Sequence, residues 1–264
     1  MPPIGTACVK VWQMNYKVIF WDLDDTLLDF GYSQSAALKR CFSELGLGEC
    51  TDEMVEQYSN INMRYWEALE NNEMTKPQIL VGRFASFLKA IGKDISLAPQ
   101  VNETYENRLG ESFRFCPHAR EVVNHFRGNV LQCMVSNGLK KVQDKKLAAS
   151  GLGTQLDHIF ISEEIGVEKP NLGFYEKVFE LLGVRDDEDK AERGADAASA
   201  SEIAGNIRKS DILVVGDSLT SDIRGGKNAG LKTCWYNPTH KENTRGITAD
   251  LEIADLRELY DIVG

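Results

Sequence analysis

The stretch KVIFWDLDDTLLDF, residues 17–30, decides the fold class of this chain. Its apolar start predicts a buried strand at about 17–22, and the acidic residues Asp22, Asp24 and Asp25 follow where that strand ends. Short apolar runs predict further strands at about 130–135, 158–161, 212–216 and 232–236. Because helical patterns separate these runs, we predict an α/β fold whose parallel sheet binds ligands beyond the carboxyl ends of its strands.

Polar groups stand at the ends of two other predicted strands. Ser136 follows the apolar run in CMVSNG, and Asp217 follows the run in LVVGDS. Since the carboxyl ends of parallel strands share one edge of a sheet, we expect these two residues to lie near Asp22. A carboxylate at that edge can attack phosphorus, and Asp24, two positions later, can exchange a proton with the leaving oxygen.

Two carboxylates alone would repel a phosphate, so the predicted site needs positive charge. Asp217 is a candidate ligand for a shared Mg²⁺, which prefers oxygen donors and tolerates one or two carboxylates beside phosphate and water. Lys169 precedes Pro170, a favoured first residue of a helix, so its ammonium and the positive end of that helix can face an anion. The SNG segment, residues 136–138, adds a hydroxyl and backbone N–H groups.

The pattern between the first two predicted strands is helical throughout. We therefore predict an inserted α-helical cap domain at 31–114, above a core formed by 16–30 and 115–264. Residues 1–15 are predicted to be an N-terminal extension. Residues 185–211 are charged and rich in Ala and Ser, so we expect a flexible insertion there.

Composition excludes several classes of protein. Among 264 residues, 30 are Lys or Arg and 40 are Asp or Glu, and the net charge of −10 with scattered basic residues disfavours nucleic-acid polymers and membrane surfaces as partners. No apolar run approaches the roughly 18 residues of a membrane span, and the first residues lack the apolar centre of a signal peptide. The cysteines form no CxxC pair and the histidines are dispersed, so no zinc site is indicated. We predict a cytoplasmic protein with reduced thiols.

Four segments, DLDDT, VSNG, KPN and GDSLTSD, resemble in order the four motifs of the haloacid dehalogenase superfamily of aspartate-nucleophile phosphatases. The resemblance covers nearly everything from Tyr16 onward and implies a Rossmann-like core with a helical cap. It implies that Asp22 becomes an aspartyl-phosphate and that Asp24 is first general acid and then general base. Mg²⁺ would be bound by the Asp22 carboxylate, the Asp24 backbone carbonyl and Asp217. Asp222 would orient the waters of the metal or the catalytic lysine.

The resemblance also implies a phosphate-binding set. Ser136 and Lys169 would hold the phosphoryl oxygens, with Asn137 and Gly138 beside them as substrate-binding residues. In the predicted cap, Trp66 and Arg83 are candidate contacts for a base or a sugar. The alternatives are that Trp66 is a core residue at helical spacing and that Arg83 is a solvated charge.

More narrowly, ISEEIGVEKPN, SDIRGGKNAGLKTCWYN and the predicted cap are similar to the pyrimidine 5′-nucleotidase branch, and the N-acylneuraminate-9-phosphatase branch is a close neighbour. The expected function is Mg²⁺-dependent hydrolysis of a small phosphorylated metabolite, with a pyrimidine nucleoside 5′-monophosphate as the expected substrate. Another sugar-phosphate phosphatase, a phosphomutase and a non-catalytic phospho-ligand-binding protein stay open as alternatives. A dehalogenase would not need a proton donor at Asp24, and by the family pattern a phosphonate-cleaving enzyme would carry a small residue there.

Overall fold

The computed structural model describes residues 15–187 and 206–264. Within these residues, parallel strands form one six-stranded sheet in the order β3-β2-β1-β4-β5-β6. The strands are β1 (Val18–Trp21), β2 (Leu131–Ser136), β3 (His158–Ile161), β4 (Ile212–Gly216), β5 (Lys232–Tyr236) and β6 (Leu251–Ile253). The predicted parallel α/β fold and its first five strands are confirmed. The sixth strand was not predicted, because three residues are too few to show a pattern.

Among the described residues, helices lie in most of the intervals between the strands. In chain order they are α1 (Phe30–Glu44), α2 (Asp52–Glu70), α3 (Lys76–Ala90), α4 (Ala98–Leu109), α5 (Ala119–Phe126), α6 (Lys140–Ser150), α7 (Ser162–Ile165), α8 (Leu172–Leu182), α9 (Arg224–Asn228) and α10 (Leu259–Val263). A π-helical turn at Leu219–Ile223 leads directly into α9. Short 3₁₀ helices lie at Ile95–Leu97, Leu152–Thr154, Lys209–Asp211 and Leu256–Glu258.

The sheet is buried on both faces, which explains the unbroken apolar run of β1. Successive side chains of a strand point to opposite faces. Ile19 and Trp21 accordingly pack into a core with residues of α5 and α10, whereas Val18 and Phe20 pack into a second core with residues of α8. All four side chains are fully buried, so β1 is fixed at the centre of the fold and Asp22 follows at its carboxyl end.

Helices α1 to α4 surround a third apolar core of their own. Its centre is aromatic: the rings of Tyr58 and Phe84 stack with centroids 4.9 Å apart, and Tyr105 contacts both rings edge-on. Val142 of α6 packs into the same core, so this helical unit rests on α6. The division of the chain into a core and a cap at 31–114 stays a prediction.

Two predicted segments lie mostly outside the described residues: the N-terminal extension at 1–15 and the insertion at 185–211. Both stay predictions, and only their described ends can be placed. Asn15 donates its backbone N–H to Val263, at 2.8 Å, and is thereby attached to α10. Ile207 is fully buried in the core, and its carbonyl accepts the backbone N–H of Arg185 at 2.9 Å, so the ends of 185–211 belong to the fold. No helix in the described ranges is long and apolar enough to cross a membrane.

Candidate active site

Lys169 lies at the centre of the predicted site. Its loop leads into α8, and its side chain is only 1% exposed. The ammonium donates to Asp22 Oδ1 at 2.9 Å, to Asp222 Oδ1 at 2.6 Å and to the carbonyl of Val135 at 2.7 Å. Three acceptors match the three N–H groups of a lysine, so the ammonium is held in a fixed position. The first and third motif segments, far apart in sequence, therefore meet at this residue.

The carboxylates of Asp22, Asp217 and Asp222 form a cluster. One ligand atom from each lies within 4.8 Å of the others. The backbone around them is fixed, because Trp235 Nε1 donates to the Asp217 carbonyl at 2.8 Å and the Ser218 N–H donates to Asp222 Oδ2 at 3.1 Å. Since all the donor atoms are oxygens, the cluster fits a hard divalent cation such as Mg²⁺.

Charge balance points the same way. The three carboxylates of the cluster, two of which contact the ammonium of Lys169, give a local charge of 1 − 3 = −2 when all are ionised. Burial raises the pKa of Asp22 to about 8, although the Lys169 ammonium opposes this shift. Burial, with repulsion from Asp25 and Asp22, raises the pKa of Asp217 well above its usual value. For Lys169, burial lowers the pKa, but the attraction of Asp22 and Asp222 outweighs it and the net pKa is raised. A divalent cation would supply the missing positive charge.

Asn137 lies at the site, but its side chain binds the backbone of Lys169. Its Oδ1 accepts the backbone N–H of Lys169 at 2.9 Å, and its Nδ2 donates to the Lys169 carbonyl at 2.8 Å. The backbone N–H of Gly138 donates to Ser136 Oγ at 3.1 Å. The SNG segment thus links the end of β2 to the loop of Lys169. Contact of Asn137 and Gly138 with a substrate stays a prediction.

The side chain of Asp24 meets two residues that the sequence analysis did not identify. Lys146 of α6 forms an ion pair with Asp24 Oδ1, and Gln143 of α6 donates to Asp24 Oδ2 at 2.8 Å. The same amide nitrogen of Gln143 lies 2.9 Å from Ser136 Oγ. The spacing of 143 and 146 places both on one face of α6, but polar residues on a helix ordinarily indicate a solvent-facing side. For this reason the sequence did not predict that Gln143 and Lys146 lie at the site.

The two cap candidates lie within the helical unit. Arg83 is 2% exposed, so the alternative that it is a solvated charge is wrong. Its guanidinium donates to Asn62 Oδ1 at 2.8 Å and to Asn102 Oδ1 at 3.2 Å. Trp66 is half-buried, and its indole N–H donates to the same Asn62 oxygen at 3.2 Å. The contacts of both residues within the cap are therefore established, and their contact with a substrate stays a prediction.

A cleft of about 430 Å³ opens between the α2–α3 connection and the loop that carries Lys169. Glu70, at the end of α2, lines it, and burial raises the pKa of this carboxyl to about 7, against the opposing effect of the Thr220 side chain. Lys76 also lines the cleft and reaches Ser162 Oγ across it at 3.0 Å. The cleft therefore brings charged groups of the helical unit to the edge of the site.

The sequence model of the haloacid dehalogenase-like hydrolases matches residues 16–230 of this chain. The chain belongs to that family. It is 33% identical over 249 residues to the HAD-hydrolase YfnB of Bacillus subtilis (strain 168), covering 94% of this chain and 96% of YfnB. It is 32% identical over 250 residues to the pyrimidine 5′-nucleotidase YjjG of Escherichia coli (strain K12), covering 95% of this chain and 99% of YjjG. It is 31% identical over 251 residues to the pyrimidine 5′-nucleotidase PynA of Streptococcus pneumoniae, covering 94% of this chain and 95% of PynA.

Solved structures agree with this assignment. The crystal structure of YfnB bound to magnesium superimposes with a TM-score of 0.79 at 32% identity, covering 95% of this chain and 99% of YfnB. That structure is reported to reveal interdomain movement. The predicted family and the hydrolase class of this chain are thus confirmed, and a relative with the same fold binds the cation that the acidic cluster fits.

Proposed function

We propose that this chain is a Mg²⁺-dependent phosphomonoester hydrolase that uses Asp22 as its nucleophile. The observation that carries the proposal is the ammonium of Lys169, which joins Asp22 to Asp222 where Asp22 follows the central strand. A phosphoryl group needs a positive centre beside the attacking carboxylate, and this ammonium supplies one. The Ser136 hydroxyl at the end of the neighbouring strand provides a further hydrogen bond for the phosphoryl oxygens.

In the first step, an Asp22 oxygen bonds to phosphorus while the bond from phosphorus to the leaving oxygen breaks. Asp24 gives its proton to that oxygen, and the alcohol departs. In the second step, Asp24 takes a proton from water, the water oxygen bonds to phosphorus, and the bond to Asp22 breaks. Inorganic phosphate leaves, and both aspartates return to their starting states.

The acidic cluster would hold the cation. Its ligands would be the carboxylates of Asp22 and Asp217 and the backbone carbonyl of Asp24, with Asp222 fixing Lys169 beside them. When bound, Mg²⁺ neutralises the charge of the phosphoryl oxygens and of the cluster itself. Without it, burial raises the pKa of Asp22 and disfavours the ionised form that attacks phosphorus.

For the substrate, we propose a pyrimidine nucleoside 5′-monophosphate. Support comes from YjjG and PynA, both pyrimidine 5′-nucleotidases that match this chain over nearly its whole length. The half-buried Trp66 ring offers a surface on which a flat base could stack. The proposed setting is the cytoplasm, and the five described cysteines are free thiols, as a reducing compartment requires.

The test is a panel of phosphate esters ranked by kcat/KM with Mg²⁺ present. We expect dUMP, dTMP or UMP to exceed purine nucleotides, hexose phosphates and N-acetylneuraminate 9-phosphate, with all phosphate released as the free ion. A tenfold preference for one of the sugar phosphates would overturn the nucleotide proposal and leave phosphatase activity in place. Transfer of phosphate within a sugar would overturn both. Asp22→Asn is the control, since an amide cannot attack phosphorus and should abolish release from every ester.

A further inference from the structure

Lys146 is an unexpected buried charge on α6. Its side chain is 0% exposed, whereas lysine is almost never fully buried without a partner. The partner is the carboxylate of Asp24, and the ring centroid of Phe30 lies 5.1 Å from the same ammonium. A buried ion pair rarely adds net stability, because removing two charges from water offsets their attraction. Stability alone therefore gives little reason for a lysine at this position.

The neighbouring turn of α6 completes the arrangement. Gln143 is also 0% exposed, and its Nε2 lies 2.8 Å from Asp24 Oδ2 and 2.9 Å from Ser136 Oγ. One amide thus joins the proposed acid–base residue to the proposed phosphate-binding hydroxyl. Gly138 leaves the room for it, since a Cβ at this glycine would lie 2.1 Å from the same Nε2.

Both oxygens of Asp24 are consequently held from one helix. Lys146 takes Oδ1 and Gln143 takes Oδ2, which fixes the position and the plane of the carboxylate. Helix α6 is itself fixed in place. Val142 packs into the apolar core of α1–α4, and Leu147 packs into the core that contains Ile19 and Trp21. Asp24 remains 26% exposed at its side chain, so a substrate can still reach it.

We propose that Lys146 is a positioning residue that, together with Gln143, holds Asp24 in the geometry needed for proton transfer to the leaving oxygen. The inference rests on the proposed function, in which Asp24 gives its proton to the departing alkoxide as the bond from phosphorus to oxygen breaks. The ion pair with Lys146 corresponds to the state after this transfer, because a neighbouring ammonium favours the ionised carboxylate that Asp24 becomes. A displacement of about 1 Å at such a group can cost on the order of 10²-fold in rate. Loss of the ion pair therefore lowers the rate through Asp24 alone.

Two esters whose leaving groups differ in their need for a proton distinguish a positioning role of Lys146 from a merely structural one. Nitrophenolate leaves p-nitrophenyl phosphate without needing a proton, whereas the alkoxide of a nucleotide needs one. For Lys146→Met, we expect kcat/KM to fall by about 10- to 100-fold with the best nucleotide and by less than about threefold with p-nitrophenyl phosphate. A general distortion of the site would lower both values equally.

A double-mutant cycle tests whether Lys146 acts through Asp24. Asp24→Asn should show the same dependence on leaving group, and adding Lys146→Met to it should change kcat/KM by less than about twofold. Lys145→Met is the matched control. Lys145 is exposed, its ammonium donates to the Asn107 carbonyl at 3.0 Å, and both esters should react at wild-type rates in that variant.

Equal losses for both esters, no loss in Lys146→Met, or additive losses in the double variant would each overturn the proposal. Should Lys146→Met fail to fold by circular dichroism, Gln143→Leu carries the same test, with the same difference between the two esters expected. The Asp22→Asn variant separates failure of the proposed function from failure of the role proposed for Lys146. If it remains active, the proposed function fails; if it is inactive and Lys146→Met affects both esters equally, only the role of Lys146 fails.

Discussion

Glu70 is a carboxyl group with an unusual environment at the edge of the proposed site. Within the described residues its Oε2 is buried without a hydrogen-bond partner, and burial raises its pKa from 4.5 to about 7. The folded protein therefore keeps a proton that the unfolded chain releases between these two values. Any stability that the protonated carboxyl contributes is full below pH 4.5 and is lost as the pH rises through 7.

Glu70→Gln should accordingly raise the melting temperature of the metal-free protein above pH 7 and leave it nearly unchanged near pH 4.5. The amide is neutral at both values, so it escapes the cost of ionising a buried group. Melting curves of the variant and the wild type in EDTA across this range provide the check. A difference that stays the same at both ends would contradict the proposed cause.

Arg83 shows how a residue of α3 stabilises the helical unit. It is buried, and its guanidinium satisfies the side-chain oxygens of Asn62 on α2 and Asn102 on α4. The cation also lies 5.1 Å from the ring centre of Phe84. Three helices of the unit therefore share one buried cation.

Arg83→Met keeps much of the apolar volume but leaves two buried amide oxygens without this donor. Asn62 Oδ1 keeps the Trp66 N–H, whereas Asn102 Oδ1 loses its donor. Leaving a buried acceptor unsatisfied costs about 1–3 kcal/mol, so we expect a lowered melting temperature with the fold retained. Arg64→Met is the matched control, because Arg64 is exposed and donates to the Asn60 carbonyl of its own helix. Melting temperatures that fall equally in both variants would show that the buried contacts of Arg83 add nothing.

The sequence predicted some elements well and others poorly, for physical reasons. Strands buried on both faces, such as β1, are unbroken apolar runs that can be recognised without a structure. The residues that follow them, Asp22 and Asp217, could be placed because parallel strands share an edge.

The unpredicted features depend on contacts between segments distant in sequence. Lys146 pairs with a residue 122 positions away, and no local pattern distinguishes it from the exposed Lys145 beside it. Arg83 was likewise given a solvated alternative, since helical spacing does not reveal which polar side chains face inward. Glu70 lies near the loop of Lys169 only because the helical unit packs against the sheet.

The polypeptide as a whole carries a net charge of −10, and three carboxylates cluster at the site, of which two contact the Lys169 ammonium. A cation that binds only the folded state stabilises it by mass action. Mg²⁺ should therefore raise the melting temperature of the wild type in a concentration-dependent way. Asp217→Ala should require more Mg²⁺ both for this effect and for turnover, because it removes a ligand.

Ca²⁺ should compete without supporting normal turnover, since its longer bonds and higher coordination number misplace the nucleophile. Melting curves and phosphate release, each titrated with Mg²⁺, measure the two effects separately. Full turnover in EDTA would end the proposal of a metal-dependent enzyme. An unchanged Mg²⁺ requirement in Asp217→Ala would remove that residue from the ligand set.

The helical unit and the sheet meet at the proposed site through several contacts near the end of α2. Arg224 donates to Asn71 at 3.1 Å, and Arg245 forms an ion pair with Glu67. These contacts place the end of α2 beside the edge of the sheet that carries the proposed site. Selectivity for one ester should therefore depend on the helical unit, whereas cleavage depends on the sheet.

The most direct measurement is the location of the phosphoryl group on the enzyme during turnover. The Asp24→Asn variant, mixed with p-nitrophenyl phosphate and Mg²⁺, should form the phosphoenzyme readily and hydrolyse it slowly, because only the second step needs the missing base. After acid quenching, mass spectrometry of the peptide beginning at Val18 should find one phosphoryl group, on Asp22, and none when EDTA is present. A phosphoryl group on another residue, or none while nitrophenolate is still released, would contradict the assignment of Asp22 as the nucleophile.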